Sequence, residues 1–319
     1  MTAAPRVSVL LTAYNRERYI AAAIESVLGQ TFADFEVLIV DDASTDGTLA
    51  VAREYERRDP RVRVVVNERN LGDYGNRNRS AALARAPLLK YHDSDDIMYP
   101  HCLAVMVSML LSEPRAGFGL STSAAWPGGP CPMLLTPRMA YQREYFGGGL
   151  FMCGPSGAIF RTDVFRELGG FVDEGAPSDY YFWLRACTRV DALLLPADLF
   201  WYRIHPAQEL QSAAAQIQYG RAAGAGWRAL DAPECPLTPA EREQAKRNRA
   251  YHLAKRTYED VRRARWTSAS RRLRGSGLRA GDWLRYLRPP KRNAIAGTPL
   301  ADDGEFLSPW AAGADEGRR

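Results

Sequence analysis

The sequence predicts an α/β protein whose mainly parallel central sheet is flanked by helices. Short apolar runs rich in β-branched residues alternate with segments whose apolar residues recur at helical spacing. Three polar clusters each follow a predicted strand: Thr12–Asn15, Asp41–Gly47 and Asp93–Asp96. Ligands of parallel sheets bind beyond the carboxyl ends of the strands, so we expect these clusters to form a site at one edge of the sheet.

Strands and helices alternate regularly through the first hundred residues. The predicted strands are 6–11, 35–40, 62–66 and 88–92, and the helices between them are 16–28, 48–58 and 76–86. Asn15 is expected to cap the first helix and Gly29 to end it.

The following residues are less regular. Helices are predicted at 103–110, 162–168 and 180–189, and strands at 117–120, 157–160, 193–195 and 200–204. The stretch Ala124–Gly149 is rich in Gly and Pro, and we expect an irregular binding segment there. Further helices are predicted at 213–227 and after Thr238, where Glu241 completes a capping box.

Three carboxylates occupy four positions after the fourth strand, at Asp93, Asp95 and Asp96. Ionised together they repel one another, so they need a compensating cation. Mg²⁺ or Mn²⁺ suits them because these ions take oxygen ligands and keep open positions for phosphate oxygens. The alternative is a solvated acidic turn that caps the next helix. The neighbouring polar clusters favour the metal site.

Several linked motifs follow one another in order. They are Val7–Arg16, Gln30–Glu36, Val40–Thr48, Asn70–Gly72, Arg77–Asn78, Asp93–Asp96, Gly169–Asp173, Ser178–Arg185 and Trp201–Pro206. Together they resemble the inverting glycosyltransferases of family 2, which have the GT-A fold, and the match covers roughly residues 6–205. Linked motifs in register are more specific than any one alone. The resemblance implies transfer of a sugar from a nucleotide diphosphate donor, with UDP the expected nucleotide, to a carbohydrate or lipid-linked acceptor.

The resemblance also implies roles on the donor side. Nucleotide-binding roles fall on Thr12, Ala13, Tyr14, Asn15, Asp42, Arg77, Asp93 and Ser94. Asp42 would accept a hydrogen bond from the uracil imide, and its alternative is a turn residue that caps a helix. Arg77 is expected to pair with the diphosphate or with the acidic triplet, and its alternative is a surface ion pair.

The metal, Mn²⁺ or Mg²⁺, would be held by the acidic triplet. Asp95 would bind the ion, Asp93 would face the ribose or the water shell of the ion, and Asp96 would share either role. His205 matches a late motif of the family and is a further candidate ligand of the metal or the diphosphate. A structural histidine is the alternative for His205.

On the acceptor side, Asp179 is the expected catalytic base. An inverting transfer needs one carboxylate to take the proton of the acceptor hydroxyl as it attacks the anomeric carbon. The alternative for Asp179 is an acid favoured by the helix macrodipole. The family usually has Glu before this Asp, whereas this chain has Ser178. The environment of the base is therefore altered.

The charge is distributed unevenly. Residues 241–292 hold 17 Lys and Arg against 5 Asp and Glu, a net charge of +12, so the rest of the chain carries −7. Aromatic residues lie among these arginines, which suits the anionic inner face of a membrane carrying a lipid-linked acceptor. A helical appendage with solvated arginines is the alternative. Five cysteines without paired spacing, and an N-terminus without a signal-peptide pattern, indicate a cytoplasmic protein. The basic segment adds the expectation of peripheral contact with the inner face of the membrane.

These features divide the chain into regions. Residues 1–210 are the expected catalytic domain, with a nucleotide-sugar half at 1–100 and an acceptor half at 101–210. Residues 211–292 form a helical basic extension, and 293–319 a flexible tail. The chain contains no apolar run of the roughly 20 residues that a membrane span needs.

Three other functions were compared with glycosyl transfer. A nucleic-acid-binding protein would need a basic sheet edge, and this edge is acidic, so no nucleic-acid partner is expected. A nucleotidyltransferase would open with a glycine-rich basic loop, in place of which Thr12–Asn15 stands. A catalytically degenerate GT-A scaffold stays open because of Ser178.

Overall fold

A computed structural model describes residues 4–122, 131–206, 208, 213–275 and 305–306. The strands are β1 (Val7–Ala13), β2 (Phe35–Asp41), β3 (Val62–Val66), β4 (Leu88–Asp93), β5 (Ile97–Met98), β6 (Ala116–Ser121), β7 (Met133–Leu135), β8 (Ala158–Arg161), β9 (Asp191–Leu195), β10 (Phe200–Trp201) and β11 (Glu305–Phe306). The helices are α1 (Ile20–Leu28), α2 (Thr48–Arg58), α3 (Asp73–Leu83), α4 (Cys102–Ser112), α5 (Pro137–Phe146), α6 (Thr162–Glu167), α7 (Ser178–Ala186), α8 (Ala213–Asp231), α9 (Pro239–Arg262) and α10 (Trp266–Gly275).

The nucleotide half contains the parallel part of the sheet, in the order β4-β1-β2-β3. Strands β1 and β2 are buried along their whole length because helices cover both faces. The pairing register places Thr12 opposite Asp93 and Ala13 opposite Asp41. The predicted convergence of the three polar clusters at one edge is therefore present in the fold.

Beyond β4 the sheet is mixed, and it continues in the order β8-β6-β9-β7-β11. Strand β8 runs antiparallel to both β4 and β6, while β6 and β9 are parallel. One face of the sheet packs against α3, α5, α7 and α8, and the other against α1, α2 and α4. The molecule is thus a three-layer α/β/α fold with a mixed sheet, in which the four strands of the nucleotide half and the pair β6 and β9 are parallel.

Two local predictions were wrong. Asn15 does not cap α1: its φ is +53°, and the helix begins at Ile20 after Tyr19. Within the segment expected to be irregular, the described residues 131–149 contain β7 and α5. Thr136 caps α5 with its side chain and Pro137 takes the first position, a helix start that the high Gly and Pro content obscured.

Three helices follow the sheet in the carboxy-terminal region. The capping box of α9 joins Thr238 and Glu241 as predicted. Glu241 also accepts hydrogen bonds from Arg138 (2.8 Å) and Gln142 (2.6 Å) on α5, which fasten α9 to α5. Among the described residues, no helix is long and apolar enough to cross a membrane.

Little of the predicted flexible tail is described. Glu305–Phe306 pair antiparallel with β7, and the remainder of 293–319 lies outside the described residues. So do residues 276–292, the last part of the predicted basic extension.

Candidate functional site

The end of β1 forms one wall of the site. Thr12 and Ala13 are buried, and Tyr14 directly after them has 45% of its surface exposed at the sheet edge. Thr12 lies between Val40 on β2 and Asp93 on β4 in the strand register. The residues predicted to line the nucleotide therefore adjoin the acidic turn.

The loops after β1 and β2 are fastened to each other. Asn15 accepts a hydrogen bond at its side-chain oxygen from Thr45 N (2.9 Å) and donates its own backbone N–H to Ser44 Oγ (3.0 Å). Asn15 and Ala43 both have positive φ, a conformation that residues with a Cβ rarely adopt. Such backbone persists only where surrounding contacts hold it, so this wall is rigid.

Asp42 is buried and its carboxylate is already hydrogen-bonded within the protein. Oδ1 accepts from Asn67 Nδ2 (2.6 Å) and Leu71 N (2.8 Å), and Oδ2 accepts from Gly72 N (3.0 Å). Asp42 therefore fixes the loop between β3 and α3. The neighbouring Asp41 has a buried Oδ1 without a hydrogen-bond partner among the described residues.

Arg77 joins helix α3 to the acidic turn. Its guanidinium lies 2.6 Å from Asp93 Oδ1 and 3.0 Å from Asp73 Oδ1, and its side chain is buried. Burial alone would raise the pKa of Asp93, but Arg77 and a hydrogen bond from Ser156 hold it below the ordinary value. Asp93 is therefore anionic at neutral pH. Of the two interactions predicted for Arg77, the structure contains the pairing with the acidic triplet.

Asp95 meets residues from two distant segments. Its Oδ2 lies 3.1 Å from Arg16 Nε and 3.0 Å from His205 Nε2. The ring of His205 also packs on Tyr19, with centroids 4.5 Å apart. The guanidinium of Arg16 and the imidazole of His205 thus contact the same carboxylate oxygen.

Asp96 turns inward from the same loop. Its Oδ1 accepts from Arg203 N (3.0 Å), and its backbone N–H donates to Asp93 O (3.1 Å), which closes the turn around the buried Ser94. Its Oδ2 is buried without a hydrogen-bond partner among the described residues. Burial, with the charge of Asp93, raises the pKa of Asp96 to about 8.

The candidate base Asp179 lies in the first turn of α7. Its Oδ1 accepts a hydrogen bond from Tyr180 N (2.7 Å), and its backbone N–H donates to the hydroxyl of Tyr74 (3.2 Å). Burial raises the pKa of Asp179 to about 7, against the lowering effects of that hydrogen bond and of Arg77. A carboxyl group with this pKa is suited to accept a proton near neutral pH.

Ser178, which stands where the family usually has Glu, is a structural residue. Its side chain is fully buried, and its Oγ donates to Gly175 O (2.6 Å) and accepts from Glu174 N (2.8 Å). The serine therefore closes the turn before α7 and adds no charge beside Asp179.

Sequence reasoning missed several residues of this site: Arg16, Asp73, Lys90, Ser156 and Arg203. Asp73 could have been predicted from the sequence, because it lies four residues before Arg77 and residues at this spacing on a helix interact. The buried Lys90 carried no sequence signal. Its ammonium donates to the backbone oxygens of Tyr91 and Ser156, and Ser156 Oγ accepts from Asp93 N (2.9 Å).

The predicted metal ligands were tested against this geometry. The described residues contain no group of three or more His, Cys, Asp or Glu side chains able to hold an ion by themselves. Mg²⁺, however, is usually bound through one or two carboxylates together with substrate phosphates and water. Asp95 and His205 supply adjacent donor atoms, and Asp96, next in the chain, has a buried oxygen without a hydrogen-bond partner among the described residues. These residues fit a divalent ion that takes its other ligands from a diphosphate.

The three-layer fold, with its polar clusters at the carboxyl ends of β1, β2 and β4, is of the GT-A type. The family model described as "Glycosyl transferase family 2" matches residues 8–169. The chain therefore belongs to glycosyl transferase family 2, which confirms the family, the fold class and the enzyme class predicted from the sequence.

Individual known proteins agree with this assignment. The Escherichia coli enzyme WfgD, named UDP-Glc:alpha-D-GlcNAc-diphosphoundecaprenol beta-1,3-glucosyltransferase, is 38% identical over 107 residues, or 34% of this chain and 42% of WfgD. An uncharacterized glycosyltransferase of Haemophilus influenzae is 34% identical over 64% of this chain and 67% of its own length. The match to WfgD thus spans less than half of that relative.

Solved structures share the fold. Staphylococcus aureus TarS 1–349 in complex with UDP-GlcNAc has a TM-score of 0.58 and 22% identity, covering 75% of this chain and 70% of TarS. The mannosyltransferase PcManGT of Pyrobaculum calidifontis, in complex with GDP-Man and Mn²⁺, has a TM-score of 0.57 and 19% identity, covering 95% of this chain and 89% of PcManGT.

Proposed function

We propose that the protein is a metal-dependent inverting glycosyltransferase that transfers a sugar from a nucleotide-diphosphate sugar to a hydroxyl of a carbohydrate or lipid-linked acceptor. One observation carries the proposal: the expected donor-side and acceptor-side groups lie at one edge of the sheet. Asp95 lies 3.0 Å from His205, Arg77 pairs with Asp93, and both Arg77 and Asp93 act on the pKa of Asp179.

Asp179 is the proposed general base. Its carboxylate takes the proton of the acceptor hydroxyl as the hydroxyl oxygen attacks the anomeric carbon and the bond to the diphosphate breaks. A pKa of about 7 leaves a large part of this group ionised at neutral pH, and it also keeps the group basic enough to hold the proton.

On the donor side, Thr12, Ala13, Tyr14 and Asn15 form the nucleotide wall, with Asp42 holding the adjoining loop. Asp42 remains the proposed partner of the uracil imide. Its carboxylate already accepts three hydrogen bonds within the protein, so the bond from the imide would be a fourth. Arg77, Asp93 and Ser94 lie next to this wall and complete the proposed nucleotide site.

Asp95 and His205 would hold the metal ion, with Asp93 and Asp96 beside it, and Mn²⁺ or Mg²⁺ is the proposed ion. When bound, the ion neutralises charge that develops on the departing diphosphate. The Mn²⁺ in the PcManGT structure supports a divalent ion in this fold.

A uridine nucleotide is the proposed donor. The names of WfgD and of the TarS complex contain UDP sugars, whereas PcManGT was solved with GDP-Man. Calorimetric titration with UDP, GDP, dTDP and CDP, each with and without Mn²⁺, tests the choice. Binding that requires UDP and the metal together is expected, and absence of binding by all four diphosphates would refute the proposal.

A lipid-linked acceptor is supported by the diphosphoundecaprenol in the name of WfgD and by the carboxy-terminal helices. Tyr258 and Trp266 have 66% and 64% of their surfaces exposed, and Arg262 and Arg263 beside them are also exposed. Exposed aromatic and basic side chains suit an anionic membrane surface. We propose that this surface brings a cytoplasmic enzyme into peripheral contact with the membrane.

The catalytically degenerate scaffold is the second candidate, and it depends on Ser178. The serine hydroxyl serves the turn at 174–175, while Asp179 retains a buried carboxyl group with a raised pKa. An active enzyme is therefore the better-supported function. Release of the nucleoside diphosphate from a nucleotide sugar only when acceptor is present would exclude the scaffold. The division into domains at 1–210, 211–292 and 293–319 stands as part of the same proposal.

A further inference from the structure

A buried polar cluster lies directly behind the proposed base. The hydroxyl of Tyr180 donates to Glu144 Oε1 (3.1 Å) and accepts from Arg249 (3.3 Å). The three residues come from α7, α5 and α9, so a carboxy-terminal helix reaches into the acceptor half. Tyr180 is also the residue immediately after Asp179.

The cluster contains two opposite charges on either side of the phenol. Glu144 Oε1 lies 3.8 Å from the Arg249 guanidinium, and Glu144 Oε2 accepts from Phe151 N (3.0 Å). Arg249 also lies 5.3 Å from the centroid of the Tyr145 ring. Burial raises the pKa of Glu144, and Arg249 partly opposes that rise. A buried ion has to keep a compensating partner close by. The Tyr180 hydroxyl is bonded to both ions, so Glu144 and Arg249 together restrict where it can lie.

Helix α8 closes the cluster from the other side. Tyr145 donates its hydroxyl to Gly226 O (2.6 Å). A Cβ at position 226 would overlap the hydroxyl of Tyr180 and approach Arg249 Nη2 to 2.7 Å, so a larger residue there would displace the ends of both side chains. The backbone of α8 thus packs closely against Tyr180 and Arg249.

The peptide unit of the proposed base is held from both sides. The backbone N–H of Asp179 donates to Tyr74 in the nucleotide half, and the Asp179 carboxylate accepts from the backbone N–H of Tyr180. A displacement of Tyr180 would move the donor of that second hydrogen bond. The position of the phenol and the orientation of the carboxylate are thus linked through one residue.

We propose that Arg249 is a positioning residue for Asp179: it locks Tyr180 against Glu144, and Tyr180 orients the carboxylate of the base. The inference rests on the proposed function of Asp179 and deepens it. Helices α8 and α9 are then a part of the acceptor site.

The test uses the full-length variants Tyr180→Phe, Arg249→Met and Arg249→Lys. Arg247→Met is the matched control, because Arg247 lies on the same helix with its side chain exposed and pairs with Glu243 one turn away. Two quantities are measured: kcat and KM for transfer, and the pKa of Asp179 from its ¹³Cγ chemical shift, assigned with Asp179→Asn. None of these variants changes the charged and titratable groups that face Asp179. Those groups are Arg77, Asp73, Asp93, Tyr74 and Cys153.

We expect Tyr180→Phe and Arg249→Met to lower kcat by about ten- to a hundredfold, because small misplacements of a reacting group have effects of this size. The KM for the donor should stay unchanged. Arg249→Lys should recover part of the loss, and Arg247→Met should match the wild type. The pKa of Asp179 should fall in the two impaired variants as water reaches a loosened helix start.

A folded Tyr180→Phe protein with unchanged kcat and unchanged pKa of Asp179 would overturn the positioning role. Failure of the proposed function looks different, since the wild type would then transfer no sugar from any nucleotide donor. The pKa readout needs no activity and decides the positioning role in that case as well.

Discussion

Replacing Asp179 by asparagine should lower catalysis and raise stability, and the second effect should depend on pH. If Asp179 is the base, kcat falls by about 10²- to 10⁴-fold, which is the usual contribution of general-base catalysis. Donor affinity should stay unchanged, because Asp179 acts on the acceptor. Asparagine retains an oxygen that can accept the hydrogen bond from Tyr180 N.

The stability effect follows from the raised pKa. Asp179 has a pKa of about 7 in the folded protein against an ordinary value of 3.8. The folded state therefore favours the protonated carboxyl, and this contribution is complete below pH 3.8 and is lost as the pH rises through 7. At about 1.36 kcal/mol per pKa unit, the advantage of the variant grows by at most roughly 3 kcal/mol between about pH 5 and pH 8.

Urea unfolding of both proteins at these two pH values measures the effect. Asp34→Asn is the control, because the Asp34 side chain is 54% exposed. A stability difference that is equal at the two pH values would contradict the buried, raised-pKa carboxyl. A loss of kcat smaller than tenfold would contradict the role of base.

Three further predictions follow from other parts of the site. His205→Ala should weaken Mn²⁺ binding in the presence of UDP by about tenfold or more, because one of the few ligands of the ion is lost. Calorimetry measures this affinity, with His101→Ala as the control because His101 is exposed. Equal affinities of the wild type and His205→Ala would remove His205 from the metal site. Asp42→Asn should lower the free energy of unfolding by about 2–4 kcal/mol, since an amide N–H₂ would then face backbone N–H donors. Urea unfolding measures this change. A change below about 0.5 kcal/mol, which is the ordinary range of surface substitutions, would contradict the prediction. The double variant Tyr258→Ser, Trp266→Ser should bind vesicles containing anionic lipid about tenfold more weakly, because two exposed aromatic side chains are lost. Cosedimentation measures the binding, with neutral vesicles as the control. Undiminished binding would exclude this surface as the membrane contact.

The sequence allowed the prediction of the features that depend on local pattern. Strand ends and the acidic triplet were located because apolar runs stop where polar clusters begin. The capping box of α9 was recognised from the spacing of Thr238 and Glu241. The role of Asp179 came from the resemblance to the family. The antiparallel insertion of β8 was beyond such reasoning, since a four-residue apolar strand reads the same in either direction.

Contacts between distant residues could not be predicted either. Arg16 and Asp95 are 79 residues apart in the chain, and Arg249 and Tyr180 are 69 apart. The partner of a buried charge depends on which helices pack together, and no local pattern reports that. Asn15 shows the reverse case: its residue type favoured a cap, but contacts with the β2 loop hold it in a left-handed conformation.

The seam between β4 and β8 limits how such an enzyme can be recombined. Lys90 on β4 reaches the backbone oxygen of Ser156 just before β8, and the hydroxyl of that serine accepts from Asp93 N. In a chimera whose acceptor half carries a residue without a hydroxyl at position 156, Asp93 N would lose its hydrogen-bond acceptor and the acidic turn would loosen. An exchange of the halves therefore has to retain this serine, whereas substitutions within one half leave the contact intact.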